Sequence, residues 1–561
     1  MKVNFKNTFP IVVFLLFVTG ISAPVITKAA EGNKDYSDPA ALVPTVHRPL
    51  PEVWTDSFRA WQGISSIEVT SNDRVWITWY SGGLTEAEDN YVLLITSGDG
   101  GETWSQPIFA VDHEGPIRLF DPALWRDPTG RLWLFWAQGE VTYENSWLWT
   151  WDGRQGVWAM TTDNPEAGEN AVWSAPRRLC NGVMMNKPIV NSQGQWLFPA
   201  SVWQMGPSKY KLPDEEYGAN VYLSTDEGKT LTLLGSCNGE KLTHFAHEHC
   251  LIERKDKSLW LLSRIESGGG IGESVSIDGG KTWPELNRTA YKQSSSRTFM
   301  RRLNSGNLLF LKNGPVEGVN GKDVGRSQLM AFLSEDDGKT WVGGLMLDSR
   351  NNVSYPDAGQ SEDGTIFATW DYDRYGSGEI LFARFTEDDI KAGKIDSRRG
   401  KSCSVANSLK NQKMFIVPQE KNLQGTPLIT GEQPEIKYPQ EKDRYDLKKL
   451  EPGALLYKHG FSSRCKNIPP QLVGKNYLQG YRGQGLKFEV EKDGVVYILS
   501  PSPHYSPYSQ EETLFKQGFS RVDIPEFLLF CNSPDYIVRV YQKEVKKGEK
   551  YEYSMWGILI F

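Results

Sequence analysis

The chain has 561 residues, and 62 basic against 69 acidic side chains leave it at −7 near neutral pH. With 39% hydrophobic and 23% charged residues it is not a disordered chain, and its length predicts two to four domains, since an all-β architecture can run longer than an ordinary domain. Its mild acidity argues against a nucleic-acid partner, and beyond the N-terminus no run approaches the roughly 18 apolar residues that a membrane-spanning helix needs.

In chain order, residues 1–30 read as an export signal. Lys2 and Lys6 form a basic start, Ile11 to Gly20 a short apolar run, and Gly20, Ser22, Ala23, Ala29 and Ala30 supply small residues for cleavage. The expectation is a soluble protein, exported to a periplasm or secreted. Six cysteines in such a chain admit up to three bridges. Cys237 with Cys250 would close a small loop, and Cys465 with Cys531 would staple the C-terminal part. Equally open is that they are buried thiols, packing as small apolar side chains. The absence of a Cys-x-x-Cys pair argues against a cysteine zinc site.

A repeat organises the first 400 residues. Ser97-Gly-Asp99-Gly-Gly-Glu-Thr103-Trp104 returns as Ser276-Ile-Asp278-Gly-Gly-Lys-Thr282-Trp283 and as Ser334-Glu-Asp336-Asp-Gly-Lys-Thr340-Trp341. A weaker copy runs from Ser224 through Asp226 to Thr230-Leu231, and a degenerate one starts at Thr161-Thr-Asp163. Successive starts are 64, 63, 52 and 58 residues apart. Asp folds back onto backbone N–H groups, Gly accepts positive φ, and Thr-Trp resumes a strand, so each copy is a tight turn between strands. Alternating runs such as Tyr91–Ile95 precede the turns, and Gly-led runs such as Gly130–Trp136 and Gly364–Trp370 mark other strands. Several short strands per 50–60 residues predict an all-β, six-bladed propeller over 45–400, with blades beginning near residues 58, 118, 184, 246, 297 and 352.

These turns are Asp boxes, and the first 400 residues resemble the sialidase superfamily of propellers. The resemblance implies an exo-glycosidase that needs no metal or organic cofactor. In that family three arginines hold the carboxylate of a terminal sugar, a Tyr/Glu pair supplies the nucleophile, and an Asp is the acid/base. Arginine suits the first task because its planar fork stays charged and binds a carboxylate bidentately. A neutral Tyr suits the second because a carboxylate nucleophile would repel the substrate's own charge.

Carried over in the family's order, the resemblance implies Arg59 as the first clamp residue, although Ala60 to Gly63 interrupt its motif and the family's Pro is missing. It implies Asp89 as the acid/base, with Glu86 and Glu88 as rivals, and Glu248 as the partner of the nucleophile. Arg264 and Arg326 complete the clamp, and Tyr355 is the nucleophile. Trp61, Gln62, Arg118 and Asp121 fall where they would shape the sugar pocket. Asp357, two residues after Tyr355, would share its strand face. His247 and His249 flank Glu248, but no third spaced ligand accompanies them, so a metal centre is not expected.

Residues 401–446, rich in Lys, Gln, Asn and Pro, read as a linker or wrapping segment. From Leu447 to Phe561 alternating strands return without Asp boxes, predicting a small β-sandwich-like accessory domain. It would serve as a brace or bind glycan through Tyr481 or Tyr505. The expected partner of the whole protein is a glycan. A hydrolase or lyase on another acidic or deoxy sugar, and a glycan-binding propeller without turnover, are the alternatives, because fold alone does not determine function.

Overall fold

The computed structural model describes residues 41–50, 59, 61–82, 86, 90–113, 117–140, 142–144, 147–149, 155–203, 211–238, 247–265, 270–316, 325–409, 425–439, 445–457, 465, 467–480, 485–504, 506, 509–529, 537–554 and 557–561. The expected export signal, Glu88, Asp89, Tyr481, Tyr505 and Cys531 lie outside these residues.

Six antiparallel sheets follow one another along the chain and form the blades of the propeller. Their innermost strands are Gln62–Val69, Ile117–Arg126, Ile189–Val190, His247–Glu253, Phe299–Arg302 and Val353–Gln360, each followed outward by three more in chain order. The second strands, among them Val75–Ser81, Leu132–Glu140 and Ile366–Tyr372, are buried along nearly their whole length. A strand sandwiched between two neighbouring blades must be apolar or aromatic on both faces, which is why these segments lack strict alternation. Much of the tryptophan content is used there: Trp76, Trp79, Trp133, Trp136, Trp260 and Trp370 are all buried.

The Asp boxes sit at the turns from third to fourth strand in blades one, three, four and five. In the first, Asp99 Oδ1 accepts from the backbone N–H of Glu102 and Thr103, its Oδ2 accepts from Thr103 Oγ1 at 2.6 Å, and the Ser97 hydroxyl receives the N–H of Gly101. The same network recurs around Asp226, Asp278 and Asp336. The last glycine of each box, at positive φ, lies against another blade: Gly101 on Phe382, Gly228 on Trp133, Gly280 on Leu234 and Gly338 on Trp260. A side chain there would push the blades apart. At the degenerate copy, Asp163 instead pairs with Arg131.

Blade one carries a fifth, outermost strand, Thr45–His47, paired with Phe109–Asp112. Blade six is built wholly from Val353–Gln360 through Lys401–Ser408. Side chains join these two blades: Arg384 and Lys401 donate to the carbonyls of Gly100 and Gly101, and Trp104 meets Phe382 edge-on. Because Lys401–Ser408 pairs with Glu379–Phe385, the propeller extends past the predicted limit of 400. The composition of 401–446 hid this edge strand, whose outer face is solvated and therefore polar.

Beyond it, Glu435–Lys437 pairs with Gly485–Lys492, which pairs with Lys550–Ser554. This small sheet packs through Phe488 and Val490 on Val496, Ile498 and Leu559 of a larger sheet centred on Gly494–Pro501 and Ile537–Val545. The opposite face of that larger sheet is covered by Leu450, Leu456 and Leu472. The result is the expected sandwich-like build, and its first strand already lies inside the supposed linker. Cys237 and Cys250 are free, buried thiols, and Cys465 is free as well. The core is large enough to hold without cross-links, and the reading of the cysteines as small apolar residues describes these three. No helix among the described residues is long and apolar enough to cross a membrane.

Candidate active site

Four of the six innermost strands share one device. Each has a bulge, where two residues face one on the partner strand, and the bulged residue has positive φ: Ile64 (55°), Asp121 (51°), Glu248 (53°) and Tyr355 (55°). Such backbone is rare outside glycine and is held only where surroundings enforce it. A bulge re-aims a side chain that strand alternation would send into the blade packing. All four residues line one cavity of about 240 Å3, together with Glu86, Arg118, Met185, Trp203, His247, Arg264, Arg326, Arg374 and Tyr375.

Buried partners hold the bulges. The Arg297 guanidinium donates to the carbonyls of Tyr355 and Pro356, both at 3.0 Å, and to those of Ser65 and Met185. Asn186 Nδ2 donates to the carbonyls of Glu248 and His249. Asp371 accepts the backbone N–H of Ile64 at 2.8 Å and the hydroxyl of Ser354. Strain of order 1–3 kcal/mol per residue is offset by these bonds.

The centre of the cavity is a triad drawn from two bulges and a strand end. Tyr355 Oη donates to Glu248 Oε1 at 2.8 Å, and Arg264 Nη1 donates to the same oxygen at 2.6 Å and to Tyr355 Oη at 3.0 Å. Burial pushes the Glu248 carboxyl up, but Arg264, His247 and the Tyr355 hydrogen bond outweigh it and leave it below its usual range. Glu248 is therefore an anion at neutral pH. Burial and the Glu248 charge raise Tyr355, against the pull of Arg264, Arg326 and Arg374, so its phenol is neutral at rest. Ser295 ties two arginines together: its hydroxyl receives Arg264 Nε and its carbonyl receives Arg326 Nη2. Arg326 has no carboxylate partner among the described residues.

On the other side, Arg118 bonds Asn90, Tyr80 and Glu86 and lies over the Phe120 ring. Asp121 lies close by. Burial, with some help from Glu86 and Glu248 and against Arg118, pushes its carboxyl up to about 8, and its Oδ1 has no partner among the described residues. Four guanidiniums thus face three carboxyls, one of them protonated at neutral pH, and the described lining is net positive. Burial lowers His247 to about 4, so it is neutral where it meets Trp203 edge-on. His249 points away and bonds Ser201 and the Asn220 carbonyl. Among the described residues no group of three His, Cys, Asp or Glu is placed to hold a metal ion.

The cavity brings together Tyr355, Glu248, Arg264, Arg326, Arg118 and Asp121 of the residues singled out in the sequence. Arg59 is elsewhere: buried over Trp79, it donates to Gln62 and to Asn407 of blade six. The interrupted motif puts it ahead of the innermost strand rather than on it. Gln62 is part of that structural knot, accepting from Trp79 and donating to the Gly378 carbonyl. Trp61 is fully buried against Tyr80 and does not line the cavity. Asp357 does not share the face of Tyr355, because the bulge between them breaks the alternation. It pairs with Lys187 at 3.1 Å and receives the Ile67 N–H, near the propeller axis. Arg374, Trp203, Met185 and Tyr375 were not anticipated. Only their place in the ring reveals them, since no motif surrounds them.

A family model described as a BNR repeat-like domain matches residues 58–368. No curated protein matches the chain. Among solved structures, the chain is similar to an intramolecular trans-sialidase from Ruminococcus gnavus, with TM-score 0.46 and 15% identity over 64% of this chain and 99% of that one. It is also similar to the leech intramolecular trans-sialidase (TM-score 0.46, 14% identity, 62% and 71% covered) and to the NanB sialidase of Streptococcus pneumoniae (TM-score 0.45, 12% identity, 61% and 71% covered). At such identities a shared activity does not follow.

Proposed function

The chain belongs to the BNR repeat-like family, and from that premise we propose that it is an exported exo-glycosidase that releases a terminal acidic sugar, of sialic-acid type, with retention at the anomeric carbon. The observation that carries this reading is the hydrogen-bonded triad of Tyr355, Glu248 and Arg264 in a cavity whose described lining is net positive. Arg264 and Arg326 hold the sugar carboxylate. Glu248 takes the phenolic proton as Tyr355 Oη attacks the anomeric carbon, giving a covalent aryl glycoside on Tyr355 as the bond from that carbon to the aglycone oxygen breaks and the aglycone leaves as an alcohol. In the second step water attacks the same carbon, and the proton returns from Glu248 to Tyr355.

The leaving oxygen needs a proton. Asp89, which lies outside the described residues, is assigned this role, as acid in the first step and base in the second. Asp121 is a second reading, favoured by its protonation up to about pH 8 and its unpartnered Oδ1. Separate Asp89→Asn and Asp121→Asn variants distinguish them. Loss of the acid slows poor leaving groups far more than an activated aryl group. The overall reading is tested with a panel of aryl glycosides of sialic acid, uronic acids and rhamnose. Sialoside hydrolysis lost in both Tyr355→Phe and Glu248→Gln supports it. Release of rhamnose instead would overturn the acidic-sugar assignment.

A further inference from the structure

Gly63 and Arg374 occupy one space. Gly63 precedes the bulge of blade one's innermost strand, whereas Arg374 lies in the turn after Ile366–Tyr372 of blade six. A Cβ built on Gly63 would overlap Cγ and Cδ of Arg374. The missing side chain is thus a slot through which the arginine passes from one blade, across the next, into the cavity. Those overlapping atoms lie mid-chain, and the guanidinium beyond them is fixed. Its Nε lies 3.2 Å from Asp371, Nη2 donates to Ser354 Oγ at 3.0 Å, and Nη1 reaches Glu86 at 3.3 Å. A methyl group at 63 has no room unless the whole side chain moves.

Two of these contacts are hydrogen bonds, one from each terminal nitrogen, and among the described residues each terminal nitrogen keeps a second N–H. The guanidinium lies over the ring of Tyr355, 4.7 Å from its centroid, with Arg326 at 5.3 Å from the same ring and Arg264 bonded to its hydroxyl. Three guanidiniums of the cavity therefore surround one phenol, while a fourth, Arg297, 5.6 Å from the ring centroid, bonds the backbone carbonyls behind it. Arg118 differs: it lies over Phe120 and Tyr80, and its Nη2 is shared between Tyr80 and Glu86.

We propose that Arg374 binds the carboxylate of the substrate beside Tyr355, together with Arg264 and Arg326, and that Gly63 is the slot that admits it. This rests on the acidic-sugar reading above and adds to it a specificity residue supplied from blade six. Asp371 and Ser354 fix the orientation of the fork, so little side-chain entropy is lost when a ligand carboxylate meets it.

The test is calorimetric titration with free N-acetylneuraminic acid and glucuronic acid, each beside its methyl ester, which keeps the shape and removes the charge. The unaltered protein should bind one acid at least about tenfold tighter than its ester, as expected when charge-assisted hydrogen bonds are lost. Arg374→Met should reduce that ratio by about tenfold, and Gly63→Ala should do the same by displacing the arginine. A purely structural role would weaken acid and ester alike and leave the ratio unchanged. A ratio kept in Arg374→Met but lost in Arg264→Met would overturn this inference while leaving the acidic-sugar reading in place. Equal binding of acid and ester by the unaltered protein would overturn both. If Gly63→Ala does not fold, the Arg374→Met ratio decides alone.

Discussion

The Asp-box turns on the rim and the bulges around the cavity are both recurrent polar features of the blades, yet they are held in opposite ways. In a box, Asp99 bonds groups no more than four residues away and lies near solvent. At the Tyr355 bulge the backbone is held by Arg297, 58 residues earlier, and both are buried. Local satisfaction makes the box a motif that folds wherever its eight residues occur. The bulges form only when the ring has closed and distant side chains meet. Architecture is therefore written in the rim, and chemistry in the centre.

That contrast predicts a gradient of effects. Arg297→Met should be the most damaging, because it leaves four buried carbonyls without their donor. A loss of roughly 3 kcal/mol or more in urea unfolding is expected. An unchanged midpoint would mean that the Tyr355 bulge is held by packing alone. Asn186→Ala removes the donor to the Glu248 and His249 carbonyls and should cost about 1–3 kcal/mol. Its turnover should fall further than its ligand affinity, because the base of the triad is displaced.

The two regions should also answer pH with opposite signs. Asp121 is raised from 3.8 to about 8 in the folded chain, so its favourable contribution is complete below pH 4 and is lost as pH rises through 8. Asp121→Asn should match the unaltered protein's melting temperature near pH 4 and exceed it increasingly up to pH 8. In a box, hydrogen bonds from Thr340 lower Asp336 from 3.8 to about 2, so its contribution is present above pH 4 and lost as pH falls through 2. Asp336→Asn should therefore melt a few degrees lower near neutral pH at most, with the difference vanishing in acid. This is the smallest effect expected, since the site is exposed. Parallel pH trends in the two variants would abolish the contrast.

Legibility followed the same division. Blade order, the box turns and the positions of Glu248, Arg264, Arg326 and Tyr355 were readable because each stands at a fixed place relative to a strand or a box. Asp357 was misplaced because a single bulged residue reverses which face its neighbours occupy. Arg59 was expected in the cavity, but its segment lies ahead of the strand, and the guanidinium near Tyr355 comes from Arg374 on another blade. Nothing in Asp371-Tyr-Asp-Arg374 distinguishes it from an ordinary polar turn. The slot at Gly63 becomes visible only when the two blades are side by side.

Tyr355 is the nucleophile of the proposed reaction, and trapping the covalent intermediate decides whether it is. A 3-fluoro sialosyl fluoride slows the second step relative to the first, and intact-mass and peptide mass spectrometry then locate any adduct. One glycosyl unit per chain is expected on the peptide containing Tyr355, absent from Tyr355→Phe. Turnover of the sialoside that survives in Tyr355→Phe, or an adduct on another residue, would contradict it.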